Sequence, residues 1–379
     1  MFARPIFDSD LDAFRDSVHK FFEKEAVPYH AQWEKDGQIS KKVWRKAGEM
    51  GLLCPTAPEE YGGVGADFRY SAVVMEEASA LGLSGVGFSL HSDIVMPYIL
   101  HHGTEEQKQK YIPKLISGEM IGAIAMTEPG AGSDLQGVKT SAIKQGDKYV
   151  LNGSKTFITN GQLCDLVIVV AKTDPKEGAK GTSLFLVEAD TKGFSKGQNL
   201  EKIGMKAQDT SEMFFQDVEI PLENLLGDGE GRGFIQLMQE LPQERLLVGL
   251  TAMAACEAAL QWTIDYVKER KAFGKPIMAF QNTRFKLAEL KADITAGRCF
   301  ADRCLELHLD KKLDVPTAAM LKQWTTDLQC RVMDECVQLH GGYGYMWEYP
   351  IARAWADARV QRIYAGTNEI MKEIVARSL

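Results

Sequence analysis

The stretch Lys148–Gly161, KYVLNGSKTFITNG, holds two runs of β-forming residues on either side of Asn152-Gly153, a dipeptide suited to a two-residue hairpin. Downstream, LVIVVAKT (166–173), TSLFLVEA (182–189) and SEMFFQDVEIP (211–221) repeat the pattern of short apolar or alternating runs set apart by turn residues. Strands of this length and spacing predict a compact β barrel or sandwich. No helical periodicity separates them, so the βαβ alternation of a Rossmann domain is not supported.

On either side the period changes from two to 3.6. Ser9–Glu25, SDLDAFRDSVHKFFEKE, places Leu11, Phe14, Val18, Phe21 and Phe22 on one face, with Ser9 and Asp12 read as a capping box. Helical patterns recur around 40–51, 70–82 and 104–117, joined by links such as EEYGGVGAD. Beyond 231 the chain is helical again, near 234–269, 280–308, 315–340 and 367–377. Small and large apolar residues alternate in TAMAACEAALQWTIDYV (251–267), which suits close packing in a four-helix bundle. The expected plan is α+β: a helical domain over 1–120, a β domain over 121–230 and a helical bundle over 231–379.

Hydrophobic residues make up 45% of the 379 and charged residues 25%, the balance of an ordinary soluble globular protein of two or three subdomains. A net charge of −8 argues against a nucleic-acid partner, because phosphate backbones need a cationic face. A small anionic ligand held by a few arginines stays open. No uninterrupted apolar run reaches the roughly 20 residues that cross a bilayer. MFARPIFDSD has neither a secretory apolar core nor an Arg- and Ser-rich presequence, which points to a cytoplasmic chain, or to the mitochondrial matrix after removal of a transit peptide. The seven cysteines form no CxxC, and His101-His102 lack a third ligand in sequence, so neither a metal site nor a disulfide framework is expected.

Four stretches carry more glycine and polarity than packing needs. Ala125–Asp134, AMTEPGAGSD, exposes backbone amides and the hydroxyls of Thr127 and Ser133. Gly153–Gly161 puts Phe157 and Thr159 on one face of a strand, where an aromatic and a hydroxyl can meet a planar ring. Arg270–Gln281, RKAFGKPIMAFQ, reads as a helix that ends at Gly274 and restarts after Pro276, with Arg270 placed to fork onto a phosphate. Gln338–Pro350, QLHGGYGYMWEYP, removes side chains at Gly341-Gly342, where a backbone or cofactor can come close. Singly, each also reads as an ordinary turn, core strand or helix end.

Together, in wording, order and spacing, these stretches resemble the acyl-CoA dehydrogenase family over essentially the whole chain. ELPQERLL (240–247), LAELKADI (287–294) and GGYGYMWEYPIARA (341–354) are most similar to its long-chain branch. The resemblance implies FAD as cofactor, an acyl-CoA substrate, electron-transfer flavoprotein as partner, and a homotetramer built as a dimer of dimers. It puts Met126, Thr127, Gly132 and Ser133 on one side of the flavin, and Phe157, Ile158 and Thr159 on the other, with the Thr159 hydroxyl near flavin N5. Arg270, Phe273, Gln281 and the run Gln338, Leu339, His340, Gly341 and Gly342 would reach the FAD of a neighbouring subunit. Thr367 and Asn368 would complete the site. For the substrate it implies Ser133, Lys180, Pro242, Gln243, Arg245 and Gly366.

The reaction so implied, loss of an α-proton and a β-hydride to give a trans-2-enoyl-CoA, needs a carboxylate base. Many members carry it just before the Gly-Thr of IYAGTNEI, where this chain has Ala365. By the same resemblance, long-chain and isovaleryl-type members carry it on a C-terminal helix before an arginine, which is Glu244 here. Ala365 would then offer its backbone N–H to the thioester carbonyl. Ile235 stands where the long-chain branch has a tyrosine, and a branched-chain substrate or an inactive acyl-CoA-binding homologue are the alternatives.

Overall fold

The computed structural model describes residues 3–379; Met1 and Phe2, part of the N-terminal reading, lie outside them. Helix α1 (Ser9–Glu25) is capped by Asp8, whose carboxylate accepts from the N–H groups of Asp10 and Leu11. The capping box read at Ser9 and Asp12 is therefore not formed, because the cap lies one residue earlier. Leu11, Val18, Phe21 and Phe22 are buried as the periodicity predicts. They pack with α2 (Val27–Asp36), α3 (Lys41–Glu49) and α4 (Phe68–Ala80) around Trp44 and Phe88. A π turn over Leu90–Val95 leads into α5 (Met96–His102), and Thr104 and Gln107 form a true capping box on α6 (Glu105–Ile116).

The middle of the chain is one curled seven-stranded sheet. Strands β1 (Gly122–Ala125), β2 (Ser141–Gln145), β3 (Lys148–Thr159), β4 (Leu166–Lys172), β5 (Thr182–Glu188), β6 (Phe194–Asn199) and β7 (Thr210–Pro221) run in the order β1-β4-β2-β3-β7-β6, with β5 paired to β4. Asn152-Gly153 is not the hairpin turn that the sequence predicts. The turn is Gly146-Asp147, joining β2 to β3 with Gln145 opposite Lys148. β3 continues through Gly153, where its register against β7 shifts at a bulge. Gly153 has φ +151°, and a Cβ there would stand 2.4 Å from Thr140 Oγ1. The Asn-Gly signal thus marks a close approach inside a strand.

Helix α7 (Gly233–Glu269) is 37 residues long and apolar enough in one window, at mean hydropathy 1.3, to span a bilayer by composition, yet 67% of that window is buried inside the protein. It is the core helix of a bundle with α8 (Gln281–Leu309), α9 (Val315–His340) and α11 (Asn368–Ala376). The sequence reading missed α10 (Pro350–Ala358). It also ran the helix to Gly274. Instead α7 stops at Glu269, and Lys271–Ala272 (β8) pairs with Lys275–Pro276 (β9). Phe273 and Gly274 both have positive φ at the tip of that hairpin, which a helix cannot continue through.

Helical layers are cross-linked by charge. Glu76 of α4 is 3% exposed and accepts from Arg298 of α8 and Arg4, each at 2.8 Å, and from Arg15 of α1 at 3.0 Å. Burial alone would raise its pKa, but the Arg298, Arg4 and Arg15 guanidiniums hold the carboxyl down at about 2. Its contribution to stability is present above the ordinary glutamate pKa and fades as pH falls toward 2. Glu76→Gln should cost about 3–5 kcal/mol, because it leaves buried guanidiniums uncompensated. A urea midpoint at pH 7 equal to that of the unsubstituted protein would refute this.

Candidate active site

Helix α7 buries two glutamates, Glu240 and Glu244, and Glu244 is 5% exposed. Tyr98 of α5 donates its hydroxyl hydrogen to Glu244 Oε1 at 2.9 Å. Burial pushes the carboxyl up to about 7, against the Tyr98 hydrogen bond, with the charge of Glu240 adding to the rise and that of Arg245 opposing it. Glu244 is thus no solvated surface glutamate. Arg245 is itself 4% exposed, and its Nε has no hydrogen-bond partner.

The turn at Ala365 abuts this helix. Ala365 has φ +52° and Gly366 φ +89°, so two consecutive residues take the left-handed conformation. The position a Cβ would take on Gly366 lies 3.9 Å from Arg245 Nη2 and 2.7 Å from Met371. The Ala365 N–H makes none of the hydrogen bonds found among the described residues. Beneath the turn, the fully buried Lys322 of α9 donates to Gly366 O at 2.8 Å and Asn368 Oδ1 at 2.9 Å. Asn368 is 1% exposed, and its amide donates to Thr326 and Asp327, both at 3.0 Å. Its side chain anchors the turn and is not free for the cofactor contact that the resemblance implies. Thr367 Oγ1 caps α11 by accepting from the Ile370 N–H.

Two other regions gather the remaining predicted residues. Arg270, Gln338, Leu339, His340, Gly341 and Gly342 line one cavity of about 650 Å³ with Tyr266 and Tyr343. The Arg270 guanidinium lies 5.3 Å from the Tyr343 ring centre, and a Cβ on Gly341 or Gly342 would meet nothing within 4 Å. Phe273 and Gln281 do not line this cavity; Phe273, at the hairpin tip, is 94% exposed. Neither Glu244 nor Ala365 borders it.

On the sheet, the Thr156 N–H donates to Thr127 O at 2.9 Å, drawing the 125–134 loop onto β3. Lys155, 1% exposed, donates to Met126 O and Glu128 Oε1 and fixes the same loop. Gly132 and Ser133 are exposed. A second bulge, with φ +60° at Phe157, leaves that ring 67% exposed beside half-buried Thr159. Ile158 is 3% exposed in the sheet core, so its side chain is unavailable to a cofactor, in contrast to the expectation. Lys180 is exposed on a short 3₁₀ turn, while half-buried Gln243 donates to Asp93 O at 2.7 Å. Ile235 is 55% exposed.

Sequence reading missed Tyr98 as partner of the glutamate, since 146 positions separate the two. Lys322 did leave a signal: it shares the face of Ala318, Thr325, Thr326 and Gln329, all buried.

A carboxyl with its native pKa raised from 4.5 to about 7 binds more protons folded than unfolded across that window, so stability falls as pH rises through it. Glu244→Gln should therefore gain up to about 3 kcal/mol at pH 8 and almost nothing at pH 4.5. Melting curves of both proteins at the two pH values check this; an equal difference at both would refute it.

Three family models match the chain in order: acyl-CoA dehydrogenase N-terminal domain over 8–119, middle domain over 123–218 and C-terminal domain over 231–379. The mouse mitochondrial long-chain specific acyl-CoA dehydrogenase is 58% identical over 378 residues, 99% of this chain and 88% of its own. The crystal structure of an acyl-CoA dehydrogenase from Geobacillus kaustophilus superposes with a TM-score of 0.97 at 52% identity, covering 99% of both chains. That of a Bacillus anthracis acyl-CoA dehydrogenase complexed with FAD has a TM-score of 0.93 at 34% identity, covering 100% of this chain and 69% of that one. The chain is an oxidoreductase and belongs to the acyl-CoA dehydrogenase family.

Proposed function

We propose that this enzyme converts a medium-long to long straight-chain acyl-CoA to the trans-2-enoyl-CoA, with Glu244 as the base. The observation that carries the reading is a buried carboxyl with a pKa of about 7 on the helix that abuts the Ala365–Gly366 turn. An α-C–H is a weak acid, so the base must hold a proton well near neutral pH, and burial gives Glu244 that affinity. The bond broken is α-C–H, with the proton going to a Glu244 oxygen. As it leaves, negative charge grows on the thioester oxygen, where the unpaired Ala365 N–H is offered. That task needs no side chain, and a small residue at 365 leaves room for the carboxylate arriving from α7. Lys322 and Arg245 place two buried positive charges at this turn. The relative named for long-chain substrates supports the chain-length class.

The chain fits FAD as cofactor. Open space beside Gly341 and Gly342 leaves room for a ligand to approach the backbone, the Arg270 guanidinium suits a pyrophosphate, and exposed Phe157 beside Thr159 suits a ring system. When bound, FAD supplies the two-electron acceptor for the β-hydride. Met126, Thr127, Gly132 and Ser133 would hold it from the opposite loop. The separation of the Arg270 cavity from Glu244 supports the reading that it serves a neighbouring subunit. Exposed Phe273, Phe285 and Tyr345 are apolar surface that further copies in a homotetramer would cover. Electron-transfer flavoprotein is the proposed acceptor, and the matrix of the mitochondrial relatives, or a bacterial cytoplasm, the proposed compartment.

Anaerobic titration of the FAD-loaded protein with C4 to C18 and isovaleryl thioesters tests the reading. Bleaching of the flavin should be fastest with a straight chain of ten carbons or more. Glu244→Gln should keep its FAD and lose at least about a thousandfold in reduction rate. Full bleaching by that variant would remove Glu244 as base, and preference for isovaleryl-CoA would overturn the chain class.

A further inference from the structure

Next to the base stands a second buried carboxylate that the reaction does not use. Helix α5 presents Tyr98, His101 and His102, spaced i, i+3 and i+4, so that all three lie on one face. Helix α7 presents Glu240 and Glu244, spaced i, i+4. The two sets meet in register. Tyr98 donates to Glu244 Oε1, while His101 Nδ1 and His102 Nε2 each lie 2.9 Å from Glu240 Oε1. Glu240 is 6% exposed, and neither lysine nor arginine pairs with it among the described residues.

A mere tether between the helices does not explain this arrangement. Met96, Tyr98 and Ile99 already bury α5, and like charges at i, i+4 on a helix repel. Placing both carboxylates in one dry site costs stability, which directs attention to their effect on each other. We propose that Glu240, fixed by His101 and His102, is a positioning residue whose negative charge raises the proton affinity of the base Glu244. The proposal rests on the reading of Glu244 as base.

The groups facing the pair make the assignment specific. Tyr98 and Arg245 lower the proton affinity of Glu244, while burial and Glu240 raise it. Glu240, despite its own burial, is held at about 2 by the hydrogen bonds and charge of His101 and His102, with His308 of α8 nearby. One member of the pair stays anionic and the other is left poised near neutral pH. This is how two close carboxyls take separate duties. A proton arriving from the substrate then settles on Glu244, since the two imidazoles on Glu240 Oε1 hold the proton affinity of Glu240 low.

The test is the pH dependence of flavin reduction in single turnovers of the FAD-loaded enzyme with saturating acyl-CoA, under anaerobic conditions. Glu240→Gln should move the acidic limb of the rate profile down by about one pH unit. Glu240→Asp, which keeps the charge, should stay within a few tenths of a unit of the native limb. His101→Gln with His102→Gln supplies amide N–H groups and leaves the carboxylate charged, so that variant should not move the limb downward. Should Glu240→Gln not fold, Glu240→Ala removes the same charge and must shift the limb in the same direction. A downward shift in the histidine variant as well, or no shift in the Gln or Ala variant that folds, overturns the proposal. Glu244→Gln in the same assay separates the two readings: if it still reduces flavin, the base assignment fails. If it is dead while Glu240→Gln or Glu240→Ala leaves the limb unmoved, this inference alone fails.

Discussion

Burying Glu244 takes a carboxylate out of water without a cation paired to it, an arrangement that costs several kcal/mol unless the group holds its proton or gains hydrogen bonds. The site depends on meeting that cost. One hydrogen bond, from Tyr98, is what the fold provides, and it requires α5 to be docked on α7. The π turn before α5 is tied to α7 by Gln243, through Asp93 O. Helix α4, which leads toward that turn, is pinned to α1 and α8 by the arginines around Glu76. An exposed glutamate at the same position would be ionised at neutral pH and a poorer base for a C–H bond.

The turn at Ala365 shows the complementary device. A non-glycine residue with positive φ persists only where its surroundings fix it. Here Lys322 bonds the carbonyl of Gly366 and the side chain of Asn368, and Asn368 in turn bonds Asp327. Burial lowers the Lys322 pKa to about 8, with the charge of Arg245 adding to the effect. Two buried cations thus stand by the turn, and the buried carboxylates Glu240 and Glu244 precede Arg245 on the same helix. On the proposed mechanism, positive charge would lie near the forming oxyanion and proton affinity at the base. That polarity comes from residues of two helices, α7 and α9, brought together at one turn.

Layer order and the helical periods were legible in the sequence, because each rests on local spacing, whereas Glu244, Arg270 and Gln338–Gly342 stood out as site residues only through the resemblance to the family, and their roles here are proposals. The errors were local too. Asn152-Gly153 reads as a turn only if its strand ends there; Thr140, 13 positions before Gly153, demanded a glycine inside the strand instead. Gly274 reads as a helix end, but the β8–β9 hairpin claimed the preceding residues. Alternation about Phe157 sends the Ile158 side chain to the opposite face, into the sheet core, which leaves only its backbone for a ligand. What lay out of reach were the partners: Tyr98 for Glu244, Lys322 for Gly366, Lys155 for Glu128. A hydrogen bond across 146 positions leaves no local period.

Helix α7 itself resolves the tension between a soluble core and a reactive site by dividing its length. From Gln236 to Arg245 its buried face is largely polar: Gln236, Glu240, Glu244 and Arg245. From Leu246 to Leu260 the buried residues are Leu, Val, Met, Ala, Gly and Cys, the centre of the bundle core. At about 25 cal/mol per Å² the apolar half has ample burial to offset a few poorly satisfied polar groups one or two turns away. The boundary falls between Arg245 and Leu246, so the proposed base sits at the end of the polar face, directly before the apolar run. Shifting the carboxylate one turn toward the C-terminus would put it among Leu246, Leu247 and Leu250, away from Tyr98. Shifting it one turn the other way would give it Glu240's place, against the imidazoles, where it would be too weak a base to take a proton from carbon.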